Sequence, residues 1–354
     1  MPELRTSAPG RVCLFGEHQD YLGLPVIAAA VNLRIGVEAD SVPGDAIEVH
    51  MPDVGARTVL HPNAPQVYEG PRDYLRSCIT VLQRLGCTWS QGYRVTMRGD
   101  IPINAGVSSS SAMVVMWLKF MLCASDAPPA ADAEDLARLG HAAEVLEFDE
   151  PGGMMDHFCA ALGGVLHINT VAPFAATRLP ATLAGFVLGN SLQPKATIET
   201  LRSTRADVVE GIRLLSEVMP EFSLAGTAIE EAGPMLLRLP PRPARRLRAN
   251  LVNRDLTLAA GPALAEGDDA ALGRLLSEHH AQLRDGLDLS TPKIERMLNA
   301  ALAAGALGGK VNGSGGGGCM FAYAPGREEA VAEAVLAEGG DATIVSVDDG
   351  VRIG

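Results

Sequence analysis

Between Pro102 and Leu118 the chain reads Pro-Ile-Asn-Ala-Gly-Val-Ser-Ser-Ser-Ser and runs without a break into Ala-Met-Val-Val-Met-Trp-Leu. The apolar part is too long and too sharply bounded for an ordinary strand, so it is read as a buried helix, with the small-residue segment as the loop that feeds its N-terminus. Such a loop exposes backbone N–H groups with no side chain in the way, and the helix dipole adds positive potential. Phosphate binds readily at such a place. Serine hydroxyls there can reach a nucleotide phosphate or complete the octahedral shell of Mg²⁺. Alone, the segment is equally a serine-capped buried helix. It contains no GxxxxGK[ST], so it is not the usual P-loop.

Around this helix the first third of the chain alternates β-branched runs with turns. Strands are expected over Arg11–Phe15, Val26–Ala39, Ala46–Met51 and Gly92–Met97, with a helix over Tyr74–Leu85 between them. A further helix is expected from Asp132 to Glu147, ending before the breaker Pro151-Gly152-Gly153. Beyond about residue 175 long helical patterns follow: Thr197–Val218, Arg245–Ala265, Asp269–Asp285 and Thr291–Ala304. Leu307–Ala324 is strand-like but broken by Gly313-Ser314-Gly315-Gly316-Gly317-Gly318, and a helix at Glu328–Glu338 and a strand at Thr343–Val347 close the chain. There is no regular βαβ repeat, which favours α+β over a doubly wound sheet. A length of 354 residues, 47% apolar, suits two domains, placed at 1–175 and 176–354.

Charge and cysteine usage narrow the function classes. A formal charge of −13 argues against a nucleic-acid partner, which needs a basic surface. The local exception, Arg238, Arg242, Arg245, Arg246 and Arg248 interleaved with Pro240, Pro241 and Pro243, is read as a solvated connector. Six scattered cysteines without a CxxC pair read as reduced thiols. No secretory pattern opens the sequence, and the most apolar stretch, Ala112–Ala124, is interrupted by Lys119 and falls short of a membrane span. A cytoplasmic protein without a membrane partner, monomeric or homodimeric, is the expectation.

Three more segments carry chemistry. In Ala8-Pro-Gly-Arg11-Val-Cys-Leu-Phe-Gly-Glu17-His18-Gln19-Asp20-Tyr21 an apolar strand ends in a cluster of carboxylates, imidazole and phenol that suits a polyhydroxylated ligand; its bland alternative is a polar turn. From Glu144 to Asp156 two carboxylates flank the glycine break, so that one can hold Mg²⁺ while the other meets a hydroxyl proton, with His157 a packed neighbour. In Gly308-Gly-Lys310-Val-Asn312-Gly-Ser-Gly-Gly-Gly-Gly-Cys319, four consecutive glycines cost entropy that a plain loop need not incur. Close approach of that backbone to a ligand or another domain is expected.

The order and content of these segments resemble the GHMP kinase superfamily, its galactokinase branch in particular. The similarity is carried by Ala-Pro-Gly-Arg-Val, Gly-Glu-His and Asp-Tyr at residues 8–21, by Pro-x-x-Ala-Gly-x-Ser-Ser-Ser at 102–110, by Glu144 and the run around Met155-Asp156, and by the C-terminal glycines. It extends to Ser277-Glu-His-His280 and Ser290-Thr-Pro292. The resemblance implies two α+β domains with the site in the cleft between them, and an ATP- and Mg²⁺-dependent sugar kinase. Arg11 and Asp156 would flank the attacking hydroxyl, while Glu17, His18, Asp20 and Tyr21 would bind the sugar. Ala105, Gly106, Val107, Ser108, Ser109, Ser110 and Ser111 would wrap the ATP phosphates, and Ser110 (or Ser109) with Glu144 would hold Mg²⁺. The expected reaction is phosphorylation of a neutral, galactose-like sugar at its anomeric hydroxyl. A mevalonate-type kinase and a non-catalytic sugar-binding regulator are the alternatives. The chain departs from galactokinases after Asn190-Ser191, where Leu192-Gln-Pro-Lys195-Ala-Thr contains no Tyr, and at Cys13 and Gln19.

Overall fold

The computed structural model describes residues 3–150, 152–181, 183–194 and 197–354; Lys195, in the segment that departs from galactokinases, lies outside them. The first half supplies strands β1 (Leu4–Phe15), β2 (Val26–Val42), β3 (Ile47–Met51), β4 (Ala56–Leu60), β5 (Gly92–Gly99), β6 (Val165–Asn169) and β7 (Ala175–Arg178). The second half supplies β8 (Phe186–Asn190), β9 (Gly308–Val311), β10 (Cys319–Tyr323) and β11 (Asp341–Val345), which form a sheet of their own in the order β11-β8-β10-β9. The last strand, β12 (Arg352–Ile353), returns to the first sheet, whose order is β12-β1-β2-β5-β3-β4 with β6 beside β2 and β7 beside β6. Among the described residues only β3 and β5 pair in parallel. This is an α+β arrangement.

Helices α1 (Tyr74–Arg84), α2 (Ser109–Ala124), α3 (Ala133–Glu144) and α4 (Met155–Leu162) share one core with the large sheet. The expected buried helix is α2: Val114, Val115, Met116, Trp117, Leu118, Phe120 and Met121 are all fully enclosed. Removal of each such side chain from water contributes about 1.5–3 kcal/mol. The Trp117 indole stacks on Phe120 at 5.0 Å between centroids and donates its N–H to the Leu75 carbonyl, so α2 is held at one rotation against α1.

The second half adds α5 (Thr197–Val218), α6 (Ile229–Leu236), α7 (Pro241–Glu266), α8 (Asp269–Ala281), α9 (Pro292–Ala303) and α10 (Glu328–Ala337). The arginine-rich stretch is not a solvated connector. Pro241 opens α7, where a missing N–H costs nothing, and the stretch continues as helix. Arg246 is 6% exposed and lies 3.0 Å from Asp207 of α5, while Arg245 pairs with Asp288. Among the described residues no helix is long and apolar enough to cross a membrane.

Candidate active site

Strand β1 runs through the core and carries Arg11 to the loop ahead of α2 and the first turn of α4 before releasing residues 16–21 into a turn with a 3₁₀ segment at Asp20–Leu22. Arg11 is 5% exposed. Its Nε donates to Asp156 Oδ1 at 2.8 Å and its Nη1 to the Gly106 carbonyl at 2.6 Å. One guanidinium thus ties the first turn of α4 to the loop ahead of α2. Burial is the largest influence and works to raise the Asp156 carboxyl, but the Arg11 charge and hydrogen bond, together with Ser108 and His157, outweigh it and hold the group below the usual carboxylate range.

The loop itself is held from behind by the second half of the chain. Asn312 Nδ2 also donates to the Gly106 carbonyl (2.8 Å), and the Cys319 N–H donates to the Ala105 carbonyl (2.7 Å). At Gly313, whose φ is +76°, a Cβ would stand 2.8 Å from Gly106 Cα. The partner that the glycine run approaches is the loop ahead of α2. The helix start faces the cleft without a protein cap: Ser108 at the N-cap is left-handed, with φ +60°, and makes no side-chain capping bond. Its first-turn N–H groups therefore remain for a ligand.

Glu144, the last residue of α3, is buried, and its Oε2 lies 2.8 Å from His157 Nε2. Burial again works to raise the carboxyl, and hydrogen bonds from His157, Ser111 and Ser110 overcome it, so Glu144 stays ionised. On the opposite wall His18 is buried and neutral, its pKa lowered to about 4 chiefly by burial. Its Nε2 faces the Ser314 carbonyl at 3.1 Å and must carry the hydrogen; Nδ1 then accepts from the Tyr21 hydroxyl at 2.7 Å. Both ring nitrogens are used, and the lone pairs of Tyr21 remain open. Asp20 packs on Gly153, where a Cβ would stand 2.1 Å from its Oδ2. Burial first, and the nearby Asp156 charge second, push its carboxyl up to about 7. Glu17 Oε2 lies 2.6 Å from the ammonium of Lys310.

Of the residues expected at a site, Arg11, Glu17, His18, Asp20, Tyr21, Gly106, Ser108 to Ser111, Glu144 and Asp156 line a single open cleft of about 1020 Å³. Ala105 and Val107 stand behind it, both buried, with their carbonyls taken by Cys319 and Arg11. Sequence reasoning missed several contributors to the wall, Val145 among them. Arg72 and Glu150 form a bidentate pair at 2.6 and 2.8 Å on the rim, and Leu201 of α5 faces them from the second half. A left-handed φ of +64° at Arg72 leaves no trace in composition.

Comparison with known proteins places this geometry. Residues 73–164 match the GHMP kinases N terminal domain, residues 261–341 the GHMP kinases C terminal family, and residues 2–40 the galactokinase galactose-binding signature. The mevalonate kinase of Thermococcus gammatolerans is 30% identical over 361 residues, covering 98% of this chain and 97% of its own. The chain belongs to the GHMP kinase family. The galactokinase of Haemophilus influenzae is 28% identical to this GHMP kinase, over 92% of this chain and 86% of its own. In fold, the galactokinase of Lactococcus lactis solved with galactose superposes with a TM-score of 0.84 at 21% identity, covering 99% and 95% of the two chains. The Methanococcus jannaschii mevalonate kinase gives 0.71 at 19% identity, covering 98% of each. As a GHMP kinase the protein is an ATP-dependent phosphotransferase, of a family that in general uses Mg²⁺.

Proposed function

We propose that this GHMP kinase transfers the γ-phosphoryl group of ATP to the anomeric hydroxyl of a neutral, galactose-configured monosaccharide in the cytoplasm, giving the sugar 1-phosphate and ADP. The observation that carries the reading is the Arg11–Asp156 pair at the floor of the cleft, between the uncapped start of α2 and the Glu17–Asp20–Tyr21 wall. ATP phosphates would meet the first-turn N–H groups of α2 and the hydroxyls of Ser109 to Ser111. A sugar on the other wall would place its reacting hydroxyl at Asp156. Phosphoryl transfer depends on positioning and charge stabilisation more than on proton removal. A carboxylate held ionised by Arg11 orients the hydroxyl and accepts its proton late, while Arg11 offsets charge on the transferring group.

Mg²⁺ fits the residues present. Glu144 is kept ionised beside two serine hydroxyls, and among the described residues no cluster of three or more His, Cys, Asp or Glu could hold a metal unaided. One carboxylate, a serine, phosphate oxygens and water make the shell that Mg²⁺ prefers. Ser110 and Glu144 would hold the ion, which would draw charge from the phosphates. The proposed division at residue 175 assigns α2, Arg11 and Asp156 to the first domain. Leu201, Gly313 and Ser314 come from the second.

A neutral sugar is favoured over an acidic one by Asp20 and Asp156, whose charges already work against each other, so that a substrate carboxylate beside them would add to the repulsion. Asp20, near its midpoint at neutral pH, both accepts from and donates to hydroxyls. Mevalonate is the second reading, motivated by the archaeal relatives. The match of residues 2–40 to the galactose-binding signature favours the sugar. The test is ADP release at fixed Mg²⁺-ATP with galactose, L-arabinose, galacturonate, glucuronate and mevalonate, with the product phosphate located by NMR. Galactose or arabinose should have the highest kcat/KM. A uronate or mevalonate used faster than both, or a phosphate away from C1, overturns the proposal. Asp156→Asn should lower kcat by about 10²–10⁴-fold with ATP binding retained; more than half the wild-type turnover would remove Asp156 from its role.

A further inference from the structure

Lys310, in the glycine-rich C-terminal segment, has so far been given no role beyond its contact with Glu17. It sits on β9 at 0% exposure, outside the lining of the cleft. Its ammonium donates to Glu17 Oε2 at 2.6 Å and to the Cys13 carbonyl at 2.7 Å, and lies 5.2 Å from the centre of the Phe321 ring. Two residues on, Asn312 accepts from the Cys13 N–H at 2.9 Å. Both main-chain polar groups of Cys13 are thus taken by side chains from beyond β1, at the place where the β1–β2 register shifts between Cys13 and Phe15. Glu17 follows directly on that shift. A carboxylate in this position could swing toward the cleft or away from it. Lys310 fixes one oxygen of a residue that lines the cleft.

Burying an ammonium is expensive, and even a well-paired buried ion pair adds little to stability compared with an apolar replacement. The retention of such a pair directly behind an acceptor-site carboxylate therefore calls for a functional reason. We infer that Lys310 is a positioning residue for acceptor recognition: through its ion pair with Glu17 it fixes that carboxylate and links the seating of the second domain to acceptor affinity. It touches neither substrate nor nucleotide. The inference rests on the reading of the Glu17 wall as the acceptor site.

The experiment is a double-mutant cycle on the full chain with Lys310→Met, Glu17→Gln and the double variant, read as kcat/KM for the acceptor and KM for ATP. The acceptor used is whichever compound the wild type phosphorylates. A wild type that uses mevalonate and no sugar would refute the sugar assignment and still leave this cycle to be run. Lys310→Met should lower acceptor kcat/KM by about 10–100-fold, the range for loss of a charge-assisted hydrogen bond, with the ATP KM within about twofold of wild type. In the Glu17→Gln background the same substitution should change neither value by more than about twofold, because the carboxylate it acts through is gone. Lys310→Met alone strands a buried carboxylate; should that variant fail to fold, the double variant, which carries neither charge of the pair, decides by comparison with Glu17→Gln. A further tenfold loss in the double variant, a parallel rise in the ATP KM, or an unchanged acceptor kcat/KM in a folded Lys310→Met protein would overturn the inference.

Discussion

Asp20 shows how a single side chain ties the Glu17–Tyr21 wall of the cleft to the pH response of the whole chain. Its carboxyl is pushed up to about 7 from a reference value of 3.8 by burial and by the charge of Asp156. The folded state therefore binds a proton that the unfolded state has already lost over the interval between those values. The stability linked to this proton is full below the unfolded value and is lost as pH rises through the folded one. Asp20→Asn should thus raise Tm more at pH 8 than at pH 5, relative to wild type. An equal difference at both pH values would mark Asp20 as an ordinary solvated carboxylate. His18 acts in the opposite sense. Held neutral, with a pKa near 4 against a reference value of 6.5, it contributes stability that is present above about 6.5 and lost as the medium is acidified through 4. Residue types at residues 11–21 made most of this wall legible in advance. The occupation of both His18 nitrogens was not, because it depends on a carbonyl 296 positions away.

At the scale of elements, the glycine segment between β9 and β10 makes a sharp prediction. Gly313 has φ +76° and no room for a Cβ, whereas Gly326 has φ +75° and nothing within 4 Å of the same atom. Alanine at either position incurs the left-handed penalty of about 1–2 kcal/mol. Only Gly313→Ala also pushes on the loop ahead of α2. It should destabilise the protein more than Gly326→Ala in thermal melts and should raise the ATP KM. Equal behaviour of the two variants would show that the glycine segment does not support the phosphate side. That close approach was readable from four glycines in a row, and so was the buried helix α2 from its unbroken apolar run. Helix α4 was not readable: it has eight residues, follows a Pro-Gly-Gly break, and delivers Asp156 in its first turn. The start of α7 was misread because Pro241 looks like a breaker and is tolerated at the first helical position. Lys310 escaped because its meaning depends on Glu17, 293 positions distant.

For the molecule as a whole, the decisive contacts join the two ends of the chain. Arg34 on β2 donates to Asp348 Oδ2 (2.7 Å), to the carbonyls of Asp349 and Gly350 (3.1 and 2.9 Å) and to the Ser7 carbonyl (2.9 Å). Hydrogen bonds to a charged donor contribute about 1.5–3 kcal/mol. Arg34→Met should therefore speed amide exchange at Val351 and Gly354, whose N–H groups bond to Ala161 and Arg5, while leaving α9 and α10 protected. Uniform loss of protection would mean that the tail unfolds only with everything else. The return of β12 to β1 also has a temporal side. On a ribosome the large sheet is nearly complete once Arg178 has emerged, yet β1 must wait with one edge open until some 170 further residues have been made. During that interval the exposed edge is a place where a second nascent chain could pair, so the yield of functional enzyme should depend on how quickly the ribosome finishes and on whether a chaperone shields β1 meanwhile.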